Sequence, residues 1–486
     1  MCPAFLLTKS LVILAGAVIL SAGCALATAR GEDNLKTERF DRDPSWDSHN
    51  NWTQGRKPVK VTQDFGYSQT NHARGKSTGE VGGEILRSSR NAYYVKPLGR
   101  EMTLDEPLSM TGQFVVTKHG GQASLFFGFC NSETLVVPYP RNWLAMILSG
   151  ESNGCEVGVG YISNLGNGDG KRVTGVGPRS ARDFNRIPDG TVYTYDLRYD
   201  PKANDGNGQI VFTLGGDGPF TATDVVVNVD PGFRKGMRFD SFGFCNAKAE
   251  PGETLGVFVD DMTINGESLA FDEDPDWKGQ NNRVTYEDSF KRGAHDFGFQ
   301  PDSKFAGGKT GEMGGVLFSD NAGYYGDNVG RLTLNDRLVA SGKMSLTERS
   351  SEAGFYLGWF NSKERGYPPK NLIGVCAEGP NSTGSMFCPI YASSDPKLAD
   401  TLKKHTTPID PFGKTYEWRI EYDPKAADGK GELKVSLGGE TAVLTLTPEA
   451  RQQNAEFDRF GLAVYEGGGQ WSKVFFDDLE YTVGSK

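Results

Sequence analysis

The chain has 486 residues, a formal net charge of −10 and a sequence pI of about 5.2. An acidic surface repels phosphate backbones, so we expect no nucleic acid among the partners of this protein. The 63 glycines and the near absence of long helical periodicity predict an all-β chain in which short strands alternate with turns.

The first 29 residues have the pattern of an export signal. Lys9 is the only charge before an apolar run at 11–20, and small residues follow the run. This pattern predicts a signal peptide over residues 1–29 and a secreted or periplasmic protein. A membrane anchor needs about 20 consecutive apolar residues, and polar or small residues interrupt this run before it reaches that length. No later segment is apolar and long enough to predict a membrane span. Cys24 makes a lipoprotein the less favoured alternative, because Ser21 stands where such a signal has Leu or Val.

The remaining chain contains a tandem duplication. The sequence FDRDPSW at 40–46 returns 231 residues later as FDEDPDW at 271–277, and further echoes follow in the same order. Solenoid repeats have periods of about 20–50 residues, so this longer period indicates two whole domains. We predict these domains at 36–268 and 269–486, each large enough for one sandwich with its own core.

Within each repeat, alternating apolar residues predict the strands. Residues 192–199 alternate tyrosine or leucine with polar residues, and 416–422 are their counterpart in the second repeat. An Asp-Pro turn then leads to a second apolar strand, which predicts a long β-hairpin ending at Gly216 and again at Gly439.

Three features of these strands resemble the concanavalin A-like jelly roll of laminin-G-like modules, many carbohydrate-binding modules and some glycanases. The hairpin ends in Leu-Gly-Gly, at 214–216 and 437–439, and a Phe-Asp-x-Phe-Gly strand follows at 239–243 and 457–461. The third feature is a closing strand with paired aspartates. The resemblance covers most of both repeats and implies two tandem antiparallel β-sandwiches. It is specific for fold and weak for function, because this fold hosts binding proteins and enzymes alike.

The paired aspartates of the closing strands are candidate metal ligands. Neighbours on a strand point to opposite faces, so one carboxylate of each pair is expected to face the interior, where an unpaired charge is costly. The resemblance implies a structural Ca²⁺ near the terminal strands, and carboxylate oxygens suit this ion. The predicted ligands are Asp41, Asp43, Asp260 and Asp261 in the first repeat and Asp272, Asp274, Asp477 and Asp478 in the second. Alternatively, each buried aspartate pairs with an arginine or caps a turn.

The carboxylate pattern of glycanases with this fold, Glu-x-Asp-x-x-Glu, is incomplete in both repeats. Glu80 and Glu84 would lie about 13 Å apart along a strand, beyond the separation that glycoside hydrolysis uses. Val316 replaces the second glutamate in the other repeat, which leaves Glu312 alone. We therefore predict no catalytic residues. Glu80 and Glu312, in glycine-rich strands, are expected either to contact a ligand or to make structural hydrogen bonds.

Six further residues are candidate ligand contacts. They are Arg100, Asn131 and Trp143 in the first repeat and Arg331, Asn361 and Trp471 in the second. Arginines and amides can bind polar groups of a sugar, and tryptophans in loop-like segments, which include Trp52, can stack on its faces. The alternatives are solvated charge and Asx turns. Four other tryptophans lie in strand-like segments and are expected in the core: Trp46, Trp277, Trp359 and Trp418.

Export makes disulfides possible for the five cysteines that follow the signal. Cys130 and Cys245 follow equivalent Gly-Phe steps and are lost together in the second repeat, and Cys376 and Cys388 flank a turn. These patterns favour the pairs Cys130–Cys245 and Cys376–Cys388, with Cys155 free. The alternative is that all five are small buried apolar residues.

These observations favour a secreted, non-catalytic protein that recognises a polysaccharide or surface glycan. One alternative is a glycoside hydrolase or polysaccharide lyase with an atypical site. Another is a structural protein of envelope assembly that binds other proteins through its sheets. A concave sheet with exposed Trp or Tyr would favour binding. Two carboxyl groups about 5–10 Å apart in a cleft would favour hydrolysis, and a Tyr or His beside an Arg would favour a lyase.

Overall fold

A computed structural model shows the architecture of the chain. It describes residues 34–53, 58–76, 78–121, 123–135, 141–151, 153–164, 168–173, 186–219, 221–249, 251–288, 294–319, 322–349, 353–364, 370–381, 384–395, 400–401, 409, 414–464 and 471–484. The predicted signal peptide at 1–29 and the alternative lipidation site Cys24 lie outside these residues.

The described residues form short strands, as the composition predicts. The first eighteen are β1 (Leu35–Glu38), β2 (Asp47–His49), β3 (Val59–Ser68), β4 (Glu80–Leu86), β5 (Tyr93–Thr103), β6 (Leu108–His119), β7 (Ala123–Cys130), β8 (Trp143–Glu151), β9 (Gly154–Ile162), β10 (Gly168–Arg172), β11 (Val192–Asp200), β12 (Gln209–Gly216), β13 (Ala222–Asn228), β14 (Arg238–Asn246), β15 (Thr254–Ile264), β16 (Glu267–Leu269), β17 (Lys278–Gln280) and β18 (Arg283–Asp288). The others are β19 (Asp296–Gln300), β20 (Glu312–Phe318), β21 (Tyr324–Thr333), β22 (Leu338–Arg349), β23 (Ala353–Phe360), β24 (Leu372–Asn381), β25 (Gly384–Ala392), β26 (Asp400–Thr401), β27 (Thr415–Asp423), β28 (Glu432–Leu437), β29 (Glu440–Thr445), β30 (Glu456–Val464) and β31 (Trp471–Thr482).

Helices in the described residues are single turns. They are α1 (Ser132–Leu135), α2 (Pro231–Arg234) and α3 (Pro448–Arg451). None of the helices in the described part of the chain has the length and apolar character needed to cross a bilayer.

The strands form two β-sandwiches. We call residues 58–288 the contiguous sandwich, in which a sheet of order β13-β12-β11-β6-β15-β4-β3-β18 faces a sheet of order β10-β9-β8-β7-β14-β5-β17. Residues 34–53 and 294–484 form the split sandwich, in which β19-β20-β31-β22-β27-β28-β29 faces β2-β21-β30-β23-β24-β25-β26. The ladders between these strands are antiparallel. The prediction of an all-β fold with two antiparallel sandwiches is confirmed.

The opening segment of the chain completes the split sandwich rather than the sandwich that follows it. β1 pairs with β31, which places Leu35 opposite Thr482, and β2 pairs with β21. Phe40 and Trp46 are buried in the core of the split sandwich, where the Trp46 ring lies 5.5 Å from the ring of Tyr325. The contiguous sandwich is therefore an insertion within the split sandwich.

The second copy of this segment closes the contiguous sandwich in the same way. β17 pairs with β5 and β18 pairs with β3, while Phe271 and Trp277 join the core of the contiguous sandwich. The Trp277 ring lies 5.5 Å from the ring of Tyr94, as Trp46 lies against Tyr325. The predicted units 36–268 and 269–486 thus mark the sequence repeats, and each sandwich contains the opening segment of the other repeat.

The aromatic hairpin of each repeat supplies one wall of a core. β11 buries the residues that were predicted to share a face, Tyr193, Tyr195, Leu197 and Tyr199. The Tyr199 hydroxyl donates to the carbonyl of Leu104 at 2.8 Å, and the Tyr422 hydroxyl donates to that of Leu334 at 3.0 Å. A buried hydroxyl needs such a partner, so the same bond is kept in both sandwiches.

The Gly-Gly steps that both repeats retain allow neighbouring strands to pack closely. The sequence had also allowed a ligand contact in these glycine-rich strands. Gly82 and Gly314 have φ values of 149° and 157°. A Cβ atom on either residue would lie 2.1 Å from a carbonyl oxygen of the neighbouring strand, that of Val257 or Val474. Any larger residue would push these strands apart.

Strand register decides which cysteines can pair. Gly128 lies opposite Gly243 in two antiparallel strands, β7 and β14. Each cysteine lies two residues after its glycine, and the strands run in opposite directions, so the two cysteines are four residues, or about 13 Å, apart along the ladder. A disulfide spans less than about 7 Å between Cα atoms. The predicted Cys130–Cys245 bond is therefore wrong, and both residues are buried free thiols.

The second predicted pair has a different geometry. Cys376 and Cys388 lie directly opposite one another on β24 and β25. Such positions place Cα atoms about 4.5–5.5 Å apart, which a disulfide can span. This bond stays a prediction. Cys155 is a buried free thiol whose pKa is raised by burial.

Candidate functional site

Two loops lie across the outer face of one sheet in each sandwich. We call residues 69–79 the first strap and residues 301–311 the second strap. Each strap places a ring on an outward-facing phenylalanine of the closing strand β15 or β31. These ring pairs are His72 with Phe258 and Phe305 with Phe475, both with centroids 4.5 Å apart. The straps are therefore equivalent elements of the duplication.

The first strap is held by the buried carboxylate of Glu80. This residue begins β4 and has no exposed surface. Its carboxylate accepts hydrogen bonds from the Thr70 hydroxyl at 2.6 Å and from the backbone N–H groups of His72 and Ala73, both at 2.8 Å. Glu80 was expected either to contact a ligand or to make structural hydrogen bonds, and these contacts are structural hydrogen bonds.

The second strap is held in the same way. Glu312 begins β20 and is fully buried. Its Oε1 accepts hydrogen bonds from the backbone N–H groups of Ala306 and Gly307, the latter at 3.1 Å. Its Oε2 is buried and has no hydrogen-bond partner among the described residues. A buried carboxylate oxygen without a partner costs about 1–3 kcal/mol or more.

A second carboxylate lies beside each of these glutamates. Asp260 and Asp477 are 2% exposed, and alternation with core residues places both on the outer face of the sheet, under the straps. A Cβ on Gly75 would lie 1.6 Å from Asp260 Oδ2, and a Cβ on Gly307 would lie 1.5 Å from Asp477 Oδ2. The expectation that one aspartate of each pair faces the interior is thus corrected, because the strap and not the core covers it.

Lys343 acts on Asp477 through its charge, although it forms its ion pair with the neighbouring Asp478. Asp260 Oδ2 is buried without a hydrogen-bond partner among the described residues. Burial, together with the nearby carboxylates of Asp261 and Glu80, raises the pKa of Asp260 to about 6. Burial and the carboxylates of Asp478 and Glu312 likewise raise the pKa of Asp477 to about 6. Each sandwich thus holds two adjacent acids whose oxygens fit a hard cation.

The other aspartates of each pair point outward. Asp261 and Asp478 have φ values of 47° and 52°, which turn them away from the buried acids. Asp261 accepts a hydrogen bond from the Gln113 amide at 3.2 Å, and Asp478 forms an ion pair with Lys343 at 2.7 Å.

The aspartates of the opening segments are exposed and shape turns. Asp43 accepts from the N–H of Ser45 at 2.8 Å, and Asp274 accepts from that of Asp276 at 3.0 Å. Because the segments are exchanged, Asp272 rather than Asp41 acts electrostatically on Asp260 of the contiguous sandwich. Among the described residues no three His, Cys, Asp or Glu side chains converge to hold a metal ion. The eight predicted ligands therefore do not form two clusters, and one buried aspartate and one glutamate per sandwich lie together instead.

A polar groove crosses the outer face of the split sandwich beside the second strap. Its cavity volume is about 420 Å³. Strand register places Ser341 opposite Arg419 and Lys343 opposite Glu417. The outward residues that line the groove are Ser341, Lys343, Glu417, Arg419, Ser436 and Asp478. Hydroxyl, carboxylate, ammonium and guanidinium groups thus alternate along a single surface.

An exposed aromatic residue flanks this groove. Phe305 of the second strap is 48% exposed, although one of its faces packs on Phe475. Its carbonyl oxygen accepts a hydrogen bond from the Thr415 hydroxyl at 3.2 Å. Thr415 lies two residues before Glu417 on β27 and points to the same face. The backbone of Phe305 is therefore held beside the strand that carries the groove residues Glu417 and Arg419.

A smaller groove of about 260 Å³ lies on β8, β9 and β10 of the contiguous sandwich. Glu156 is 7% exposed there and lies 3.3 Å from Arg186 and 3.4 Å from Arg172. Ser149 lies opposite Glu156, which makes Glu151 its diagonal neighbour on the same face. Diagonal positions lie about 7–8 Å apart. This groove brings two carboxylates and two arginines to one surface.

The remaining predicted ligand residues lie apart from both grooves. Arg100 pairs with Glu106 at 2.6 Å and Arg331 pairs with Glu456, both at exposed positions. Asn131 is 2% exposed. The half-buried Asn361 accepts from the N–H of Lys363 at 3.0 Å, which is the Asx turn that was the alternative.

Trp143 and Trp471 were expected in exposed loops, and this expectation is wrong. Both begin strands and are buried, at 5% and 1% exposure. Trp52 is 65% exposed, as expected. The four tryptophans expected in the core are buried: Trp46, Trp277, Trp359 and Trp418.

Sequence reasoning missed most residues of the larger groove. Alternation in 416–422 assigned the tyrosines and tryptophan to the core, and the same alternation leaves Glu417 and Arg419 facing outward. Their partners Ser341 and Lys343 come from a strand about 75 residues earlier, and only the register of the sheet aligns them.

Comparisons with known proteins give structural likenesses at low sequence identity. No protein-family model and no curated protein matches the sequence. Domains LG4-5 of the mouse laminin alpha1 chain are 11% identical, over 89% of this chain and 92% of theirs, with a TM-score of 0.23. The metal-free form of lectin I-B4 from Griffonia simplicifolia is 17% identical, over 39% and 93%, with a TM-score of 0.25. The GH43 protein BlXynB from Bacillus licheniformis is 12% identical, over 74% of each chain, with a TM-score of 0.24.

Proposed function

We propose that this protein is an exported, non-catalytic glycan-binding protein whose ligand lies in the groove of the split sandwich. The observation that carries the proposal is a polar groove of about 420 Å³ with the exposed ring of Phe305 beside it. Export rests on the signal pattern at 1–29, and N-terminal sequencing of the mature protein tests it.

The chemistry of the groove suits a sugar. A sugar presents hydroxyl groups that both donate and accept hydrogen bonds, together with apolar C–H faces. Arg419 supplies donors in a fixed fork, and Glu417 supplies acceptors on the neighbouring position. The exposed face of Phe305 offers an apolar surface for a ring. Ser341 and Ser436 add hydroxyl groups to the lining of the groove.

The test is a glycan array followed by calorimetry on each hit. Phe305→Ala should weaken binding about tenfold, or about 1.4 kcal/mol, because it removes the apolar contact beside the groove. Trp52→Ala is the matched control, since Trp52 is also exposed but lies at the β19 edge of the same sheet. Loss of binding in Trp52→Ala with full binding in Phe305→Ala would place the ligand elsewhere.

We also propose that Ca²⁺ binds in each sandwich, held by Glu80 with Asp260 and by Glu312 with Asp477. The support is the pair of adjacent buried acids, together with the oxygens of Asp260 and Glu312 that have no hydrogen-bond partner in the described part of the chain. A bound Ca²⁺ would neutralise the two carboxylates and satisfy those oxygens. Chelation should lower the melting temperature, and an unchanged melting temperature would remove a structural ion from the proposal.

One observation favours glycoside hydrolysis as a second candidate function. Glu151 and Glu156 share a face of β8 and β9 at a diagonal separation of about 7–8 Å, within the range of paired catalytic carboxyl groups. Arg172 and Arg186 form ion pairs with Glu156. Steady release of reducing sugar by the protein, abolished in Glu156→Gln, would replace the binding proposal with this one. Binding without release leaves the binding proposal standing.

A further inference from the structure

We propose that Glu312 and Asp477 hold a divalent cation that keeps the second strap closed, so that occupancy of this site sets the position of Phe305 and the affinity of the groove. This inference rests on the proposed function, because it names the regulation of the same groove. The equivalent site, Glu80 with Asp260, holds the first strap and has no part in that groove.

The contacts of the second strap converge on the buried acids. Phe475 and Asp477 lie two residues apart on β31 and share its outer face. Phe305 packs on Phe475, and Gly307 lies directly over Asp477 Oδ2. The backbone N–H groups of Ala306 and Gly307 donate hydrogen bonds to Glu312. Residues 305–307 are therefore positioned by the same two carboxylates that would bind the cation.

The energetics determine the direction of the effect. Without a cation, two buried carboxylates lie together, and Glu312 Oε2 has no partner among the described residues. Opening of the strap admits water to both groups and relieves that cost. A divalent cation offsets the charge of both acids only while the strap covers them. The cation therefore binds the closed strap more tightly than the open strap, and its binding shifts the strap toward the closed conformation.

The strap lies beside the groove. The Phe305 carbonyl accepts a hydrogen bond from Thr415, two residues before the groove residue Glu417 on β27, and Gly307 covers Asp477, next to the groove residue Asp478. In the contiguous sandwich the strap residue whose ring packs on the closing strand is His72. The positions that correspond to Lys343, Glu417 and Arg419 are Gln113, Thr194 and Asp196 there. The charged groove residues thus belong to the split sandwich, which is why only the second strap is assigned this role.

The experiment compares Asp477→Asn with its matched control Asp260→Asn in the full-length protein. Calorimetric titration with CaCl₂ should find two sites in the wild type and one in each variant. Trypsin reports each strap separately, because Lys304 and Lys309 lie in the second strap and Arg74 and Lys76 in the first. Chelation of the wild type should speed cleavage after Lys304 about tenfold, the effect of about 1.4 kcal/mol of strap closure.

In Asp477→Asn, cleavage after Lys304 should proceed at the same rate with and without Ca²⁺, because one of the two carboxylates that hold the cation is gone, while cleavage after Arg74 still responds to Ca²⁺. Asp260→Asn should show the reverse pattern. Chelation should weaken the binding of any glycan about tenfold in the wild type and in Asp260→Asn, and it should leave the affinity of Asp477→Asn unchanged.

Two outcomes overturn the inference. One is cleavage after Lys304 that is unaffected by Ca²⁺ in the wild type. The other is an equal effect of chelation on glycan affinity in the two variants. A wild type that binds no glycan refutes the proposed function, and in that case Ca²⁺-dependent protection of Lys304 still supports the link between the acids and the strap.

Discussion

Replacing Trp46 with alanine should weaken the split sandwich and spare the contiguous sandwich, although Trp46 precedes the contiguous sandwich in the chain. Trp46 is 6% exposed. Its ring packs against Phe40 at 5.3 Å, Tyr325 at 5.5 Å and Tyr481 at 6.0 Å between centroids. Its indole N–H has no hydrogen-bond partner among the described residues, so the loss is one of packing.

The expected magnitude follows from this burial. Truncation of a fully buried tryptophan to alanine costs about 3–5 kcal/mol, because it removes apolar burial and leaves a cavity. For a domain of about 200 residues, each kcal/mol lowers the melting temperature by about 2–4 °C. Trp46→Ala should therefore lower the melting temperature of the split sandwich by about 6–20 °C.

Hydrogen exchange measured peptide by peptide distinguishes the two sandwiches. In Trp46→Ala, exchange should accelerate in β22 and β27 and stay unchanged in β6 and β11. Trp277→Ala is the matched variant and should produce the opposite pattern. Acceleration in β6 and β11 by Trp46→Ala would refute the assignment of the opening segment to the split sandwich.

Three further predictions concern the strap, the topology and the cysteines. Gly307→Ala places a methyl group on Asp477, so it should open the second strap and raise its tryptic cleavage about tenfold; slow cleavage would contradict the contact. A circular permutant with joined ends and new termini within residues 289–293 should fold and melt like the wild type, which calorimetry checks, because both sandwiches then become continuous. In oxidised protein, non-reducing peptide maps should link Cys376 to Cys388, and a link between any other pair would contradict the strand register.

The candidate site was only partly predictable. Buried acids at Glu80, Glu312, Asp260 and Asp477 stood out in the sequence because both repeats retain them, and the structure shows them beneath equivalent straps. The sequence does not show which opening-segment aspartates lie near these buried acids, because the opening segment occurs in two similar copies. The local pattern of residues does not determine which copy packs beside which closing strand.

The sequence by itself determined the strands, the turns and the duplication, because alternation and turn chemistry act over a few neighbouring residues. Tertiary structure alone decided which sandwich each opening segment completes. The segments at 40–46 and 271–277 present the same Phe and Trp to similar cores, so their local chemistry fits either one. The exchange is settled by the pairing of β1 with β31 and of β17 with β5, which are contacts between residues far apart in the chain.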